Sequence, residues 1–305
     1  MTKKRNKQDL DRQYNRATLL ISCEDKPGIV LLIANFITKN GGNILHADQH
    51  LDSAANIFFQ RIEWDTRNFR FNLSETRKEL ASIAKKIEMQ WSLHYGQTSQ
   101  QVTLFVSKSA HCLLDLLARW TNGEWPKAKI TSIVSNHQVL HPIANQFNIP
   151  FIHIPIPKRK HTTDLSPADH QEAWKRVNEA ITELAPDLIV LARYMQILPK
   201  EITRKYRNKI INIHHSFLPA FAGARPYHRA HERGVKLIGA TAHYATAELD
   251  EGPIIEQDVL RVDHRDDTRD IVRKGRDLER NVLAKAVRLH LNHRVLAINN
   301  KTVVF

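Results

Sequence analysis

At 305 residues, 42% hydrophobic and 25% charged, the chain has the length of two ordinary domains and the composition of a globular protein. No apolar run approaches the roughly 20 residues that span a bilayer, and two cysteines, Cys23 and Cys112, are too few for a disulfide framework or a four-cysteine zinc site. The formal net charge of +13 is spread over scattered Lys and Arg, with no nucleic-acid signature, so it predicts solvated faces and a locally basic pocket and excludes nucleic acid and membrane as expected partners.

Residues 1–16 are basic and no apolar segment follows them, so they read as a disordered tail and not a secretory signal; a cytoplasmic location is expected. ATLLISC (17–23) has the length of a strand, EDKPG (24–28) breaks it, and IVLLIANFITKNGG (29–42) reads as a helix closed by Gly41 and Gly42. Two strands are expected at 43–52 and 56–64. A helix follows over 73–90, where Leu80, Ile83, Ala84 and Ile87 keep a helical period. WSLHY (91–95) closes a βαββαβ unit, a ferredoxin-like sandwich over 17–96. GQTSQ (96–100) is the linker.

From 101 to 305 the rhythm becomes strand, helix, strand. Strands are expected at 101–107, 129–135, 151–156, 187–192 and 209–213, with helices at 110–120, 139–147 and 167–184. Ser166 supplies an N-cap for the last of these, Pro167 its first position and Asp169 a charge for its positive end. A long helix over 267–292 and a hairpin turning at Asn299-Asn300 end the chain. The alternation predicts a doubly wound, Rossmann-like α/β domain, in which ligands sit beyond the carboxyl ends of the strands. Asn212 and His214 lie at such an end, in NIHHSFLP (212–219).

An amide and an imidazolium can hold the negative charge that grows on a carbonyl oxygen under attack, and a carboxylate can orient the attacking water. Asp250, in ATAELDEGPII (245–255), is the candidate carboxylate. A satisfied turn capped by Asn212, with His243 as a buried strand histidine, is the plainer reading of the same residues. Arg225, Tyr227 and His228 either close over the site or only start a helix. The histidines show no metal-ligand spacing, so no metal or other cofactor is expected.

These residues resemble the folate-dependent formyltransferase family. Its motif, Asn-x-His-Pro-Ser-Leu-Leu-Pro with a distant Asp before a Gly, is matched by Asn212, His214, Ser216, Leu218, Pro219, Asp250 and Gly252, and His243 matches a family histidine seven residues before the Asp. The resemblance implies catalytic roles for Asn212, His214 and Asp250. It also implies substrate contacts at Met195, Gln196, Ile197 and Leu198, in a segment like the family's folate pocket, and at His215 and His243. Two departures stand out: His215 replaces a Pro, and SKSAHC (107–112) replaces the glycine-rich loop that binds an acceptor phosphate in transferases acting on a ribonucleotide. With that loop absent, the resemblance implies that the formyl group of 10-formyltetrahydrofolate passes to water, giving formate for purine synthesis and tetrahydrofolate. The alternatives are a formyltransferase with an unidentified acceptor and a folate-storing binding module. EDKPGIV (24–30) with the helix after it resembles the ACT domain, which implies an amino-acid effector at Asp25, Pro27 and Gly28 and a homodimer or homotetramer.

Overall fold

A computed structural model of the protein describes residues 15–157, 167–219 and 226–305. Ser166 and Arg225 fall outside them, as does the basic tail up to residue 14. The described chain divides into two compact units between Ser99 and Gln100, and residues 292–296 and 303–305 group with the first unit.

The first unit runs β1 (Arg16–Glu24), α1 (Ile29–Lys39), β2 (Asn43–Asp52), β3 (Ile57–Asp65), α2 (Leu73–Ile87) and β4 (Gln90–Tyr95). Its sheet has the order β2-β3-β1-β4 with every neighbouring pair antiparallel, the ferredoxin-like arrangement. One face carries Leu19, Ile21, Ile62 and Trp64 into a core with Ile33 and Leu80. On the other face Arg61 donates to the carbonyl of His293, and His94 stacks on the His293 ring at 3.6 Å, so the returning C-terminal residues cover it. The second helix starts where its chemistry says it should. The Asn72 side chain accepts from the Glu75 N–H while Glu75 accepts from the Asn72 N–H, a capping box. It ends at Ile87, short of the expected 90, because Glu88 turns left-handed at φ 54°.

The second unit holds a seven-stranded sheet of order β11-β10-β9-β8-β5-β6-β7. Its strands are β5 (Gln100–Val106), β6 (Ala128–Ser135), β7 (Phe151–His153), β8 (Leu188–Leu191), β9 (Ile210–His214), β10 (Leu237–Tyr244) and β11 (Ile254–Arg261). Strands β5 to β9 are parallel, joined through α3 (His111–Thr121), α4 (His141–Gln146), α5 (Pro167–Leu184) and α6 (Lys200–Lys205). The doubly wound reading needs one correction: β10 runs antiparallel to β9, and β11 in turn runs antiparallel to β10. Residues 245–253 connect β10 to β11, fewer than the dozen or so that a parallel crossover requires. Two local expectations also change. β7 stops at His153 instead of 156, since Pro155 and Pro157 carry no N–H for a ladder. The helix expected over 139–147 is a 3-10 turn (Gln138–Leu140) followed by the short α4.

The long α8 (Thr268–Leu291) packs on β10 and β11 through Leu278, Val282, Leu283 and Val287, all at most 4% exposed. It follows α7 (Pro226–Arg233). No described helix is long and apolar enough to cross a membrane.

Candidate active site

The chain winds outward from β5 through β6 and β7, then returns to the other side of β5 as β8 and β9. The carboxyl ends of β5 and β8 therefore flank a topological switch point, where sheets of this kind leave a crevice. Backbone groups fix its walls. Ser107, just after β5, donates its hydroxyl to Asn136 Oδ1 (2.7 Å) and accepts the Met195 N–H (2.9 Å), which ties the segment after β8 to the crevice. On the far side the Thr241 hydroxyl donates to the Ser216 carbonyl (2.9 Å) and accepts the Leu218 N–H (3.1 Å), holding the chain as it leaves β9.

Between these walls is a cleft of about 530 Å³. Asn212, His214 and Asp250 line it together. His214 is 5% exposed; its Nδ1 lies 3.1 Å from Asp250 Oδ2, and its Nε2 is buried without a partner. A carboxylate only accepts, so the Nδ1 proton points at Asp250 and Nε2 is left for a substrate oxygen. The β9–β10 register sets Asn212 opposite His243, and Asn212 Nδ2 is 3.2 Å from His243 Nε2. His243 Nδ1 faces the Tyr244 carbonyl at 3.0 Å, an acceptor, so Nδ1 carries the proton and Nε2 accepts from the amide. That bond fixes which way the Asn212 amide faces.

Asp250 comes from the β10–β11 loop with φ 57°, a left-handed conformation that Asp tolerates better than most residues. Burial acts to raise its carboxyl, but the His214 hydrogen bond and then the nearby His243 ring, whose Nε2 lies 3.7 Å from Oδ1, outweigh it, and the carboxyl is held well below the usual carboxylate range. It stays ionised throughout the working pH range.

All four residues of the expected folate segment line the cleft, but they differ in exposure. Met195 and Ile197 are 57% and 67% exposed at the cleft mouth, whereas Leu198 is buried with the core cluster of Ile189 and Ile202. Gln196 lines the cleft between them. His215 also lines it, edge-on to Tyr227 at 6.0 Å between ring centroids. Burial and then the Arg193 charge push the His215 imidazole down to about 4 from 6.5, so it is neutral at neutral pH. His228 borders the cleft as well. In the first unit, Asp25 donates its N–H to the Asn56 carbonyl, Pro27 is exposed, and Gly28 begins α1 at φ 95° with open space where a Cβ would stand.

The depressed His215 value has a stability consequence. Above pH 6.5 the ring is neutral in both folded and unfolded chains and contributes nothing. Between 6.5 and about 4 only the unfolded chain takes up the proton, so acidification across this window costs up to about 3 kcal/mol of folding stability. His215→Asn is expected to flatten the stability curve in that window; chemical denaturation at several pH values checks it, and an unchanged difference between pH 7 and 4 contradicts it.

One set of residues was not singled out in the sequence. Glu279 on α8 is 1% exposed, yet it accepts from Tyr227 Oη (2.5 Å) and His111 Nε2 (2.8 Å) and lies 3.4 Å from Arg193 Nε. Burial works to raise its carboxyl, and His111, Arg193 and Tyr227 together bring it below the ordinary value. His111, Cys112 and Glu279 also form the one metal-sized group of ligating side chains among the described residues. The donor set fits a cation poorly: the Arg193 guanidinium already faces that carboxylate, and burial pushes the Cys112 thiol far up. The signal in the sequence was a Glu on the apolar stripe of a long helix, one turn after Gly275, whose missing side chain leaves room for the Tyr227 ring.

Residues 100–287 match the Formyl transferase family model. Formyltetrahydrofolate deformylase of Synechocystis sp. is 53% identical over 290 residues, 95% of this chain and 98% of the relative. The chain belongs to the formyltetrahydrofolate deformylase family. The Bacillus subtilis deformylase is 45% identical, covering 97% of this chain and 95% of its own. A crystal structure of a formyltetrahydrofolate deformylase from Pseudomonas syringae pv. tomato superposes with a TM-score of 0.91 at 44% identity, over 98% of this chain and 97% of the other. These deformylases align with both units of the chain, whereas the formyl transferase match is confined to the second.

Proposed function

We propose that the protein hydrolyses 10-formyltetrahydrofolate to formate and tetrahydrofolate, with Asn212, His214 and Asp250 as the catalytic residues. The observation that carries this reading is the buried, unpartnered Nε2 of His214 beside the Asn212 amide and an ionised Asp250. The Asn212 amide and the His214 imidazolium stabilise negative charge on the formyl oxygen as water adds to the formyl carbon. Asp250 orients the water and stabilises the imidazolium through Nδ1. The C–N bond then breaks, N10 of the folate takes up a proton, and formate leaves with one oxygen from water. His243 keeps the amide turned toward the substrate, and neutral His215 contributes shape and hydrogen bonding without charge. No step draws on a metal or other cofactor. Formate released this way is a one-carbon source for purine synthesis. Purified protein should turn over the substrate with no amine added; substrate binding without turnover until an amine is supplied would favour the formyltransferase alternative.

Gly252 is part of the same machinery. A Cβ there would lie 1.7 Å from the Tyr244 carbonyl oxygen, so Gly252→Ala must shift the loop that carries Asp250. The expected result is a folded protein with kcat lowered about a hundredfold, the scale of an ångström-sized misplacement. Wild-type kcat in a variant with a normal melting profile would show that the loop tolerates the shift.

The first unit is read as an ACT-like regulatory module. Its βαββαβ topology and the exposed Asp25–Gly28 turn before an uncapped α1 support a small amino acid such as glycine or methionine as effector. A homodimer or homotetramer and a cytoplasmic location belong to the same reading. Titrating the enzyme with each amino acid tests it: a changed rate that Gly28→Val abolishes is expected, and rates indifferent to every amino acid would count against it.

A further inference from the structure

The geometry points to a second opening of the catalytic cleft, a small-anion site that receives the formate carboxylate as it leaves. This inference rests on the hydrolytic reading above. The cleft is bordered in part by Met195, Ile197 and Leu249, which are 57%, 67% and 62% exposed and suit an apolar ring system. It also reaches His228 and Val272. Those two residues also border a second cavity, of about 430 Å³, whose remaining wall includes Arg269, Arg273, Arg276 and Arg280 on α8. Two of these guanidiniums are partly neutralised, Arg273 by Asp270 at 3.1 Å and Arg280 by Asp277, which also lines the cavity. Arg269 faces Asp267. Arg276 has no ion pair among the described residues.

The field separates substrate from product. A formyl group is neutral and gains nothing from this wall. Formate carries a full negative charge and is formed beside the ionised Asp250, which repels it, with the arginine wall ahead of it. Hydrolysis thus creates the charge that draws the small product toward the cavity that shares His228 and Val272 with the cleft.

Two readouts on the full-length enzyme test this. The first is direct uptake of carbon-labelled formate, followed by NMR line broadening. The second is product inhibition by formate during turnover. Arg276→Gln should weaken both about threefold, and Arg269→Gln combined with Arg276→Gln about tenfold, on the scale of exposed charge pairs. Arg276→Lys should retain most of the effect, and kcat/KM for the folate should stay unchanged. No formate uptake by the wild type, or uptake indifferent to both arginines, overturns the site whether or not the enzyme turns over. Failed turnover together with arginine-dependent uptake would sink the hydrolytic reading and leave the anion site standing.

Discussion

Asp250→Asn is expected to lower kcat by roughly 10³-fold or more while changing folate affinity by less than about threefold. The carboxylate has two jobs that an amide of the same shape does badly. It supplies the negative charge that makes a protonated His214 favourable, and it accepts the Nδ1 proton at 3.1 Å, which fixes the tautomer. An amide brings no charge, and its NH2 can donate to the Nδ1 lone pair, which keeps the ring neutral and prevents it from becoming the imidazolium that holds the developing oxyanion. Asp250 is ionised far below neutral pH, so the acid limb of the rate profile belongs to another group and should survive, at reduced amplitude, in Asp250→Asn. Single-turnover kinetics beside a folate titration separate the two effects. Equal losses in kcat and affinity would make Asp250 a substrate contact and remove it from the chemistry.

Glu279→Ala is expected to cost about 3–5 kcal/mol of folding stability, the largest such effect of any single change considered. The mutation leaves the Arg193 guanidinium without the carboxylate that offsets its charge, and leaves the His111 ring and the Tyr227 hydroxyl without their acceptor. Glu279→Gln keeps hydrogen-bonding capacity and should lose less. Because Tyr227 packs edge-on against His215, the alanine variant should also alter kcat through that ring, while the glutamine variant moves it little. Urea denaturation of the two variants reads the first claim. A loss under about 1 kcal/mol for Glu279→Ala would mean that water compensates the network.

The sequence carried the site further than it carried the sheet. Asn212 and His214 were legible because polar residues at the end of an apolar strand need a reason, and Asp250 because a glycine follows it two residues on in a loop-to-strand turn. The antiparallel β10 was not legible: a strand buried along nearly all its length reads alike in either direction, and the short 245–253 connection says only that β10 and β11 oppose each other, not which of them reverses. The same limit applied to Leu198 and Ile197, adjacent apolar residues that both line the cleft, one buried against the core and the other exposed. The Glu279 network was hidden because its members, at 111, 193, 227 and 279, come from separate elements and meet only when α8 folds across the sheet. The first unit was the easiest to read, since a capping box, a left-handed stop and two helix periods agree locally.

Water as the nucleophile is the claim on which the rest depends. The most direct measurement is turnover of 10-formyltetrahydrofolate in heavy-oxygen water with no amine present, with Asn212→Ala run alongside. Formate carrying one heavy oxygen, formed in step with tetrahydrofolate and absent from the variant, is the expected result. No formate from a wild type that still binds folate, or formate without the label, would contradict the account.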